Sequence, residues 1–296
     1  MARARVAAPG VDVGRQIAEI IAAHRVVDLT LPLAEDLPCT VPGHMPFRAT
    51  VWTWFEDRPA DPQPVRAREG GSYQTRWLVI DEHAGTHIDA PRHVVPPPGS
   101  RLPQAGPAGE VGVDKLPLLA ASGPADVIDV TGLPEHAAPE DGGSPPVTVT
   151  SLIEWEAVHG AILPGDAVLL RTGWDSRYRR GTDGRGYAAG GPTGQTGPGW
   201  PAPRPDTVSW LHDRGVRCVG TDAPSIGAVH DGAPAHLAGL TRGMVFVEGL
   251  TRLGELPPRG AWFLFLPLLL VEGTGAPGRA LAVVPGRPDP IAGHGD

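Results

Sequence analysis

A chain of 296 residues is long enough to bury a sizeable core without disulfides or other staples, as one large domain or two small ones. Its formal net charge of -8 repels the phosphate backbone of nucleic acids. The sequence contains no run rich in arginine and lysine of the kind that nucleic-acid grooves need, so we expect no nucleic-acid partner.

The cysteines and the N-terminus bear on the compartment. Cys39 and Cys218 are far apart in the chain and form no CxxC pattern, so neither a disulfide framework nor a cysteine zinc site is indicated. The first residues lack the continuous apolar segment of a signal peptide, and no stretch reaches the apolar length of a membrane span. The sequence therefore predicts a soluble, cytoplasmic protein with no membrane partner.

Hydrophobic periodicity divides the chain into short helices and strands. Isoleucines at helical spacing predict a helix over 14–24, and β-branched residues predict a strand directly after it, at 25–33. Further strands are predicted at 49–55, 72–80, 125–133, 166–174, 216–222, 244–250, 262–273 and 279–284, and further helices at 149–160, 205–215 and 233–243. This alternation predicts a single α/β or α+β domain.

Two longer segments are predicted to be loops. Residues 56–71 are charged and rich in proline, which is typical of a surface loop between strands. Residues 176–203 are so rich in glycine and proline that we expect no packed element there but an inserted loop. A loop in this position can act as a lid over the active site, with Tyr187 and Trp200 as its expected substrate contacts. An exposed loop with no role is the alternative, because long insertions are tolerated at surfaces at little thermodynamic cost.

The densest group of reactive side chains lies in DEHAGTHIDAPRH, residues 81–93, directly after a predicted strand. A metalloprotease helix needs a glutamate after its first histidine, and Gly85 would weaken such a helix. On an extended backbone His87 and Asp89 point to the same face, and a bend at Gly85 can bring His83 to the same point. The pattern therefore predicts a metal site.

Imidazole and carboxylate ligands together suit borderline divalent ions such as Zn²⁺ and Mn²⁺. So few protein ligands leave room for water or substrate, which is a catalytic rather than a structural pattern. Surface histidines or backbone caps are the alternative, and they explain four such residues in eleven positions poorly. His93 remains open between a fourth ligand and a general base, a role that the near-neutral pKa of histidine suits.

Two further candidate ligands follow in APAHLAGLTRGMVFVEGL. His236 lies on a predicted helix closed by Gly243, and Glu248 lies on the next predicted strand, so the two can face one another. Taken alone, an exposed helical histidine and a solvated strand end explain these two residues better than a ligand pair does.

Weaker candidates for substrate contact lie outside these motifs. Asp222 and Ser225 in GTDAPS form a tight turn that contains proline, and turn capping explains them at least as well as substrate contact. Tryptophans can stack on an aromatic ligand, although most tryptophans pack in cores. The candidates for stacking are Trp52, Trp54, Trp77, Trp174 and Trp200, and His44 after VPG is a further candidate for the pocket.

The segment HAGTHIDAPRH matches the pattern HxGTHxDxPxH at every fixed position and resembles the metal-dependent cyclase family, which includes bacterial kynurenine formamidase and isatin hydrolase. The similarity extends to VVDLTLPL, LLRTGW, GVRCVGTDAPSI, the spacing of His236 and Glu248, and FLPLLLVEGTGAPGRALAVV. It covers residues 26–284. Residues 1–25 are then an N-terminal extension and 285–296 a C-terminal tail around one catalytic domain.

The resemblance implies an α/β fold of the swivelling β/β/α type, as a homodimer or homotetramer with sites near the subunit contacts. It implies one or two Zn or Mn ions per chain, with Asp89 able to bridge two, and His93 as the acid/base. The metal ligands that it implies are His83, His87, Asp89, His236 and Glu248.

These observations favour a metal-dependent hydrolase that opens the C–N bond of a formamide, amide or lactam in a small aromatic molecule. A ring-closing cyclase or dehydratase is the alternative, because a polarised carbonyl serves condensation as well as hydrolysis. The sequence does not separate the two. A non-catalytic scaffold stabilised by metal is the third hypothesis, and His93 argues against it because a scaffold needs no acid/base.

Overall fold

The computed structural model describes residues 12–55, 73–133, 143–188 and 198–286. Within these ranges the helices are α1 Val13–Ala23, α2 Val149–His159, α3 Arg185–Ala188, α4 Pro205–Asp213 and α5 Ala233–Leu240. The strands are β1 Arg25–Asp28, β2 Arg48–Thr53, β3 Thr75–Val79, β4 His87–Asp89, β5 Ser122–Asp129, β6 Pro146–Val147, β7 Ala167–Arg171, β8 Ala202–Pro203, β9 Cys218–Thr221, β10 Val245–Glu248, β11 Ala261–Pro267 and β12 Gly275–Val284.

Among the described residues, seven strands close into a barrel. Around the ring they follow the order β12, β11, β5, β7, β9, β10 and β4, and β4 pairs with β12 to complete it. The strands from β5 to β10 in this order run parallel, whereas β4, β11 and β12 pair antiparallel with their neighbours. Strand β1 pairs with β12 beyond the closure, and β2 and β3 form a separate hairpin.

The barrel has an apolar interior and an apolar outer face under the helices. One core cluster draws residues from every strand of the ring and none from α2, α4 or α5, so it fills the interior. Strand β7 shows how one sequence serves both layers, because Leu169 belongs to this interior cluster while Val168 and Leu170 pack against the helices. All three are buried, as expected for parallel strands covered on both faces.

The α/β class predicted from the sequence is confirmed, and the observed barrel is of mixed strand direction. The finer swivelling β/β/α description, the division into extension, domain and tail, and the lid role stay predictions. The surface loop predicted at 56–71 lies outside the described residues. In the part of the chain that the structure describes, no helix is long and apolar enough to cross a membrane.

The strand predicted over 262–273 is too long. Strand β11 ends at Pro267, and Leu269 and Val271 beyond it are about four-fifths exposed, at 77% and 81%. The chain leaves the sheet there in a turn in which Gly273 donates its backbone hydrogen bond to the carbonyl of Leu270. The apolar run is therefore not explained by burial in a strand.

The prediction that 176–203 contains no packed element is wrong for its described part. Tyr187 and Trp200 are buried, and they pack with Trp174 in a third apolar cluster. The indole of Trp174 donates a hydrogen bond to the Tyr187 carbonyl at 2.8 Å. Large aromatic side chains thus bury enough area to fix a segment that composition alone assigns to a loop. Residues 189–197 lie outside the described ranges.

A pair of aspartates lies at the side of the barrel away from the histidine motif. Asp126 on β5 accepts from Nε of Arg259 at 2.8 Å, and Nη2 of Arg259 also lies 3.3 Å from a carboxylate oxygen of Asp166. Burial, together with the charge and hydrogen bonding of Asp166, raises the pKa of Asp126 from 3.8 to about 7. The folded protein therefore keeps a proton that the unfolded chain releases at lower pH.

We expect the free energy of unfolding to fall as the pH rises from about 4 to about 7, because over this range the unfolded chain loses the Asp126 proton and the folded protein keeps it. Below this window both states bind the proton, and inside it only the folded state does, so each step upward costs folding free energy. Asp126→Asn removes the titration and should flatten the decline. Urea unfolding of both proteins at several pH values measures the slopes.

Asp129→Asn on the same strand is the matched control. Asp129 is exposed at the end of β5, and hydrogen bonds from Thr131 and the charge of Arg171 outweigh the effect of burial and lower its pKa, so its titration falls below the window. The control should keep the wild-type slope between pH 4 and 7. Equal slopes in wild type and Asp126→Asn would contradict the assignment.

Candidate metal centre

Strand β4 supplies two of the candidate ligands. It contains only His87, Ile88 and Asp89, and its first and third side chains leave the same face. Its partner β10 is antiparallel, and its register places Glu248 directly opposite His87. A cross-strand pair lies close enough for the two side chains to interact, so the sheet itself brings Glu248 to the motif.

A bend before β4 brings the third ligand. Gly85 has φ of +61°, a conformation that side chains with a Cβ rarely adopt, and a Cβ there would lie 2.6 Å from Leu33. The bend turns the chain so that Nδ1 of His83 reaches Asp89 Oδ1 at 2.8 Å. The hinge that the sequence predicts at Gly85 therefore exists.

The fourth and fifth ligands meet the same point from the other side. On α5, Nε2 of His236 lies 3.1 Å from Glu248 Oε1 and 3.3 Å from Asp89 Oδ2. On β4, Nε2 of His87 lies 3.4 Å from Glu248 Oε2 and 3.5 Å from Asp89 Oδ1. The structure thus brings together His83, His87, Asp89, His236 and Glu248.

Backbone carbonyls fix which nitrogen of two histidines faces the site. Nδ1 of His87 donates to the carbonyl of Gly85 at 2.9 Å, and Nδ1 of His236 donates to the carbonyl of Gly232 at 2.8 Å. Each bond leaves Nε2 pointing at the carboxylates. Metal-binding histidines typically donate their second nitrogen in this way, which fixes the tautomer and the ring orientation.

Two residues that sequence reasoning missed orient His83. The hydroxyl of Thr274 donates to Glu82 at 2.6 Å, so it accepts from Nε2 of His83 at 3.1 Å. This leaves Nδ1 of His83 directed at Asp89. Glu82 lies inside the motif, but Thr274 is 191 residues from His83, and no pattern in the sequence connects the two.

The charges of the cluster fit a divalent cation. Burial and Asp89 act to raise the pKa of Glu248, but hydrogen bonds from His236 and His87 lower it to about 2. Burial acts to lower the pKa of His87, but Glu248 and Asp89 raise it to about 9. The carboxylates are therefore neutralised by imidazole protons, and a metal that takes these ligands displaces those protons.

An oxygen of Asp89 that makes no hydrogen bond supports the fit to a cation. Asp89 is fully buried, and its Oδ2 makes no hydrogen bond within the part of the chain that the structure describes. Two groups of side chains each hold ligand atoms within 4.8 Å of one another. The first group is His83, Asp89 and His93, and the second is His87, Asp89 and Glu248. Asp89 belongs to both groups, and an ion in the first group would take His93 as a ligand.

His93 lies beside this cluster on a short 3-10 helix, with its ring centre 4.0 Å from that of His83. Burial lowers the pKa of His93 to about 4, since a low dielectric disfavours the imidazolium. The near-neutral pKa expected from the sequence is therefore replaced by a lower one. His93 is neutral at pH 7 and can accept a proton.

Of five weaker candidates, two lie near the cluster and three lie away from it. Nδ1 of His44 lies 3.1 Å from Asp81, and its ring centre is 5.8 Å from that of His83. The hydroxyl of Ser225 donates to Glu248 Oε1 at 3.2 Å. Ser225 therefore orients a candidate ligand.

Asp222, Trp77 and Trp200 have other surroundings. The Asp222 carboxylate accepts from the backbone N–H of Thr172 at 2.8 Å, so it joins its turn to the end of β7 and does not cap the turn itself, and burial raises its pKa to about 6. Trp77 is 42% exposed on the β2–β3 hairpin. The indole of Trp200 donates to the Gly227 carbonyl at 2.8 Å in a buried cluster.

Comparison with known proteins places the chain in a family. The model of the family described as putative cyclase matches residues 27–228. The chain belongs to the cyclase family. Isatin hydrolase from Roseibium aggregatum is 35% identical over 224 residues, 73% of this chain and 77% of that protein. Kynurenine formamidase from Salinibacter ruber is 34% identical over 246 residues, 81% and 89% of the two chains.

Solved structures agree with this assignment. Isatin hydrolase A from Labrenzia aggregata, bound to benzyl benzoate, superimposes with a TM-score of 0.71 at 30% identity, over 92% of this chain and 99% of that one. The family resemblance stated from the sequence is confirmed. This cyclase-family chain is an enzyme, a hydrolase. Its candidate metal centre lies where β4 pairs with β10.

The centre depends on a close backbone contact, and we expect Gly249→Ala to destabilise the protein. Gly249 has φ of +64°, and a Cβ there would lie 2.4 Å from the Gly85 carbonyl that orients His87. The unfavourable φ and the clash together should lower the free energy of unfolding by about 2 to 4 kcal/mol. Chemical denaturation measures this change.

Gly243→Ala is the matched control, because Gly243 also has a positive φ, +77°, but a Cβ there meets no atom within 4 Å. It should lower the free energy of unfolding by about 1 kcal/mol. If both variants lower the free energy of unfolding by the same amount, the close contact between Gly249 and Gly85 contributes nothing to the loss.

Proposed function

We propose that this enzyme hydrolyses the C–N bond of a formamide, amide or lactam in a small aromatic molecule, using one or two divalent ions. The observation that carries the proposal is the convergence of the imidazoles of His83, His87 and His236 on two buried carboxylates, one of which keeps an oxygen without a hydrogen bond to the described residues. The names of the relatives, an isatin hydrolase and a kynurenine formamidase, support hydrolysis of a lactam or formamide.

The residues that would hold the ions supply imidazole nitrogen and carboxylate oxygen, which supports Zn or Mn. A divalent ion in such a site lowers the pKa of a water and polarises a carbonyl oxygen. The proposed ligands are His83, His87, Asp89, His236 and Glu248.

Other residues prepare and support these ligands. Glu248 is held by the backbone N–H of Ile226 at 2.6 Å as well as by Ser225, so its carboxylate has a fixed orientation. His44, which is paired with Asp81, borders the cluster and is the proposed contact for the rest of the substrate.

His93 is the proposed acid/base. Neutral at pH 7, its ring can accept the proton released as water attacks the carbonyl carbon. The same low pKa makes the imidazolium a strong donor, so it readily returns the proton to the leaving nitrogen. Proton transfer of this kind is worth roughly 10² to 10⁴-fold in rate.

The test combines metal content with turnover on formanilides and isatin. Wild type should hold one or two transition-metal ions per chain, hydrolyse at least one of these compounds, and lose activity with a chelator. His87→Ala and Asp89→Ala should lose metal and activity together. His93→Ala should keep metal and lose turnover by roughly 10² to 10⁴-fold.

His159→Ala is the control, since His159 is exposed at the end of α2 and should leave metal content and turnover unchanged. Absence of stoichiometric metal after reconstitution would sink the metal proposal. Loss of metal from His93→Ala would make His93 a ligand rather than the acid/base.

We also propose a homodimer or homotetramer. Support comes from α1, in which no residue is buried against the described chain. Three apolar side chains on one side of this helix, Ile17, Ile20 and Ile21, are 47–53% exposed. A helix of 11 residues is marginal in water without a packing partner, so a second copy is the natural cover for this face. Location in the cytoplasm is supported by two buried cysteines that form no disulfide, Cys39 and Cys218.

We expect Ile17→Ser combined with Ile21→Ser to shift the protein toward smaller species, because it removes apolar area from the proposed contact. Light scattering after size exclusion, over a range of concentrations, measures the mass. Ile153→Ser combined with Val158→Ser on α2 is the control, because both side chains are at least half exposed on another helix. A monomeric wild type, or equal effects of both pairs, contradicts the proposal.

A further inference from the structure

A buried hydroxyl in the insertion has no partner. Tyr187 on α3 is 3% exposed, and its hydroxyl makes no hydrogen bond to any described residue. The rest of the residue is well held, since its carbonyl accepts from the Trp174 indole and its ring packs edge-on against Tyr178 at 5.0 Å. A buried hydroxyl without a partner costs free energy, so the structure keeps this donor at a stability cost.

The neighbouring tyrosine shows the contrast. The hydroxyl of Tyr178 donates to the Pro32 carbonyl at 2.7 Å and also contacts Cys39. Two phenols in contact within one segment therefore have different surroundings. Tyr178 is satisfied inside the chain, whereas Tyr187 has no acceptor among the residues that the structure describes.

The position of Tyr187 limits what that acceptor can be. Tyr187 lines a cavity of about 10 Å³ together with His83, His87 and Gly85. This volume suits about one water-sized group. A single oxygen fits this space beside the candidate metal ligands, whereas a larger part of a ligand does not.

We propose that the Tyr187 hydroxyl donates a hydrogen bond to the oxygen of the carbonyl group that is hydrolysed. The inference rests on the proposed function and adds to it a catalytic residue outside the histidine motif. The proton stays on the phenol throughout, because the bond only stabilises charge. As water adds to the carbonyl carbon this oxygen gains negative charge, so the hydrogen bond strengthens in the transition state.

The test compares Tyr187→Phe with Tyr178→Phe, the same change on an adjacent ring. Both variants are loaded with metal, and their metal content, melting temperature, kcat and KM are measured. Tyr187→Phe should keep metal, melt no lower than wild type and lose kcat by roughly 10² to 10³-fold with KM little changed. Tyr178→Phe should melt lower, because it leaves the Pro32 carbonyl unpaired, and should keep kcat.

The outcomes separate this inference from the proposed function. If Tyr187→Phe melts clearly lower than wild type, or keeps its kcat, the role of Tyr187 as a donor to substrate is overturned. If wild type hydrolyses none of the amides, the proposed function fails, and binding of formate and benzoate then decides the inference. A thermal shift from these carboxylates that is present in wild type and Tyr178→Phe but lost in Tyr187→Phe supports the donor, and an equal shift in all three overturns it.

Discussion

The pairing of β4 with two strands at once is the constraint on which the site depends. This strand of three residues completes the ring by bonding to β10 on one side and to β12 on the other. A shift of its register by one residue would turn His87 and Asp89 to the opposite face and move Glu248 out of reach. The backbone hydrogen bonds of β4 therefore both close the barrel and bring His87, Asp89 and Glu248 together.

The electrostatics of the centre follow from this closure. Once the ring is closed, Asp89 and Glu248 are buried a few ångströms apart, an arrangement that repels unless positive charge lies between them. The imidazoles of His87 and His236 provide that charge as protons, and their Nδ1 atoms are already held by backbone carbonyls. The cluster is thus arranged to exchange protons for a cation without moving its ligands.

Sequence reasoning succeeded where a local period determined the geometry. The spacing of His83, His87 and Asp89, with glycine at the bend, was sufficient to predict that these three converge. Apolar periodicity predicted the described helices except α3 and the strands of the ring except β4. Glu248 needed the register of β10, which periodicity does not supply, so its pairing with His236 came from the family resemblance. Thr274 had no signal, because its role depends on long-range packing, and Tyr187 was expected only as a substrate contact of a lid. Composition misassigned the insertion because a few aromatic residues outweighed many glycines.

The two parts of the site have different physical origins. The candidate ligands lie on strands and a helix of the barrel, where backbone pairing restricts them, whereas Tyr187 is positioned by the aromatic cluster with Trp174 and Tyr178. Packing of this kind tolerates substitution more readily than a strand register does. The candidate ligands are consequently tied to the fold, while the aromatic packing of the insertion can change without disturbing β4. A chain built this way can change the proposed substrate contact and retain the same candidate metal ligands.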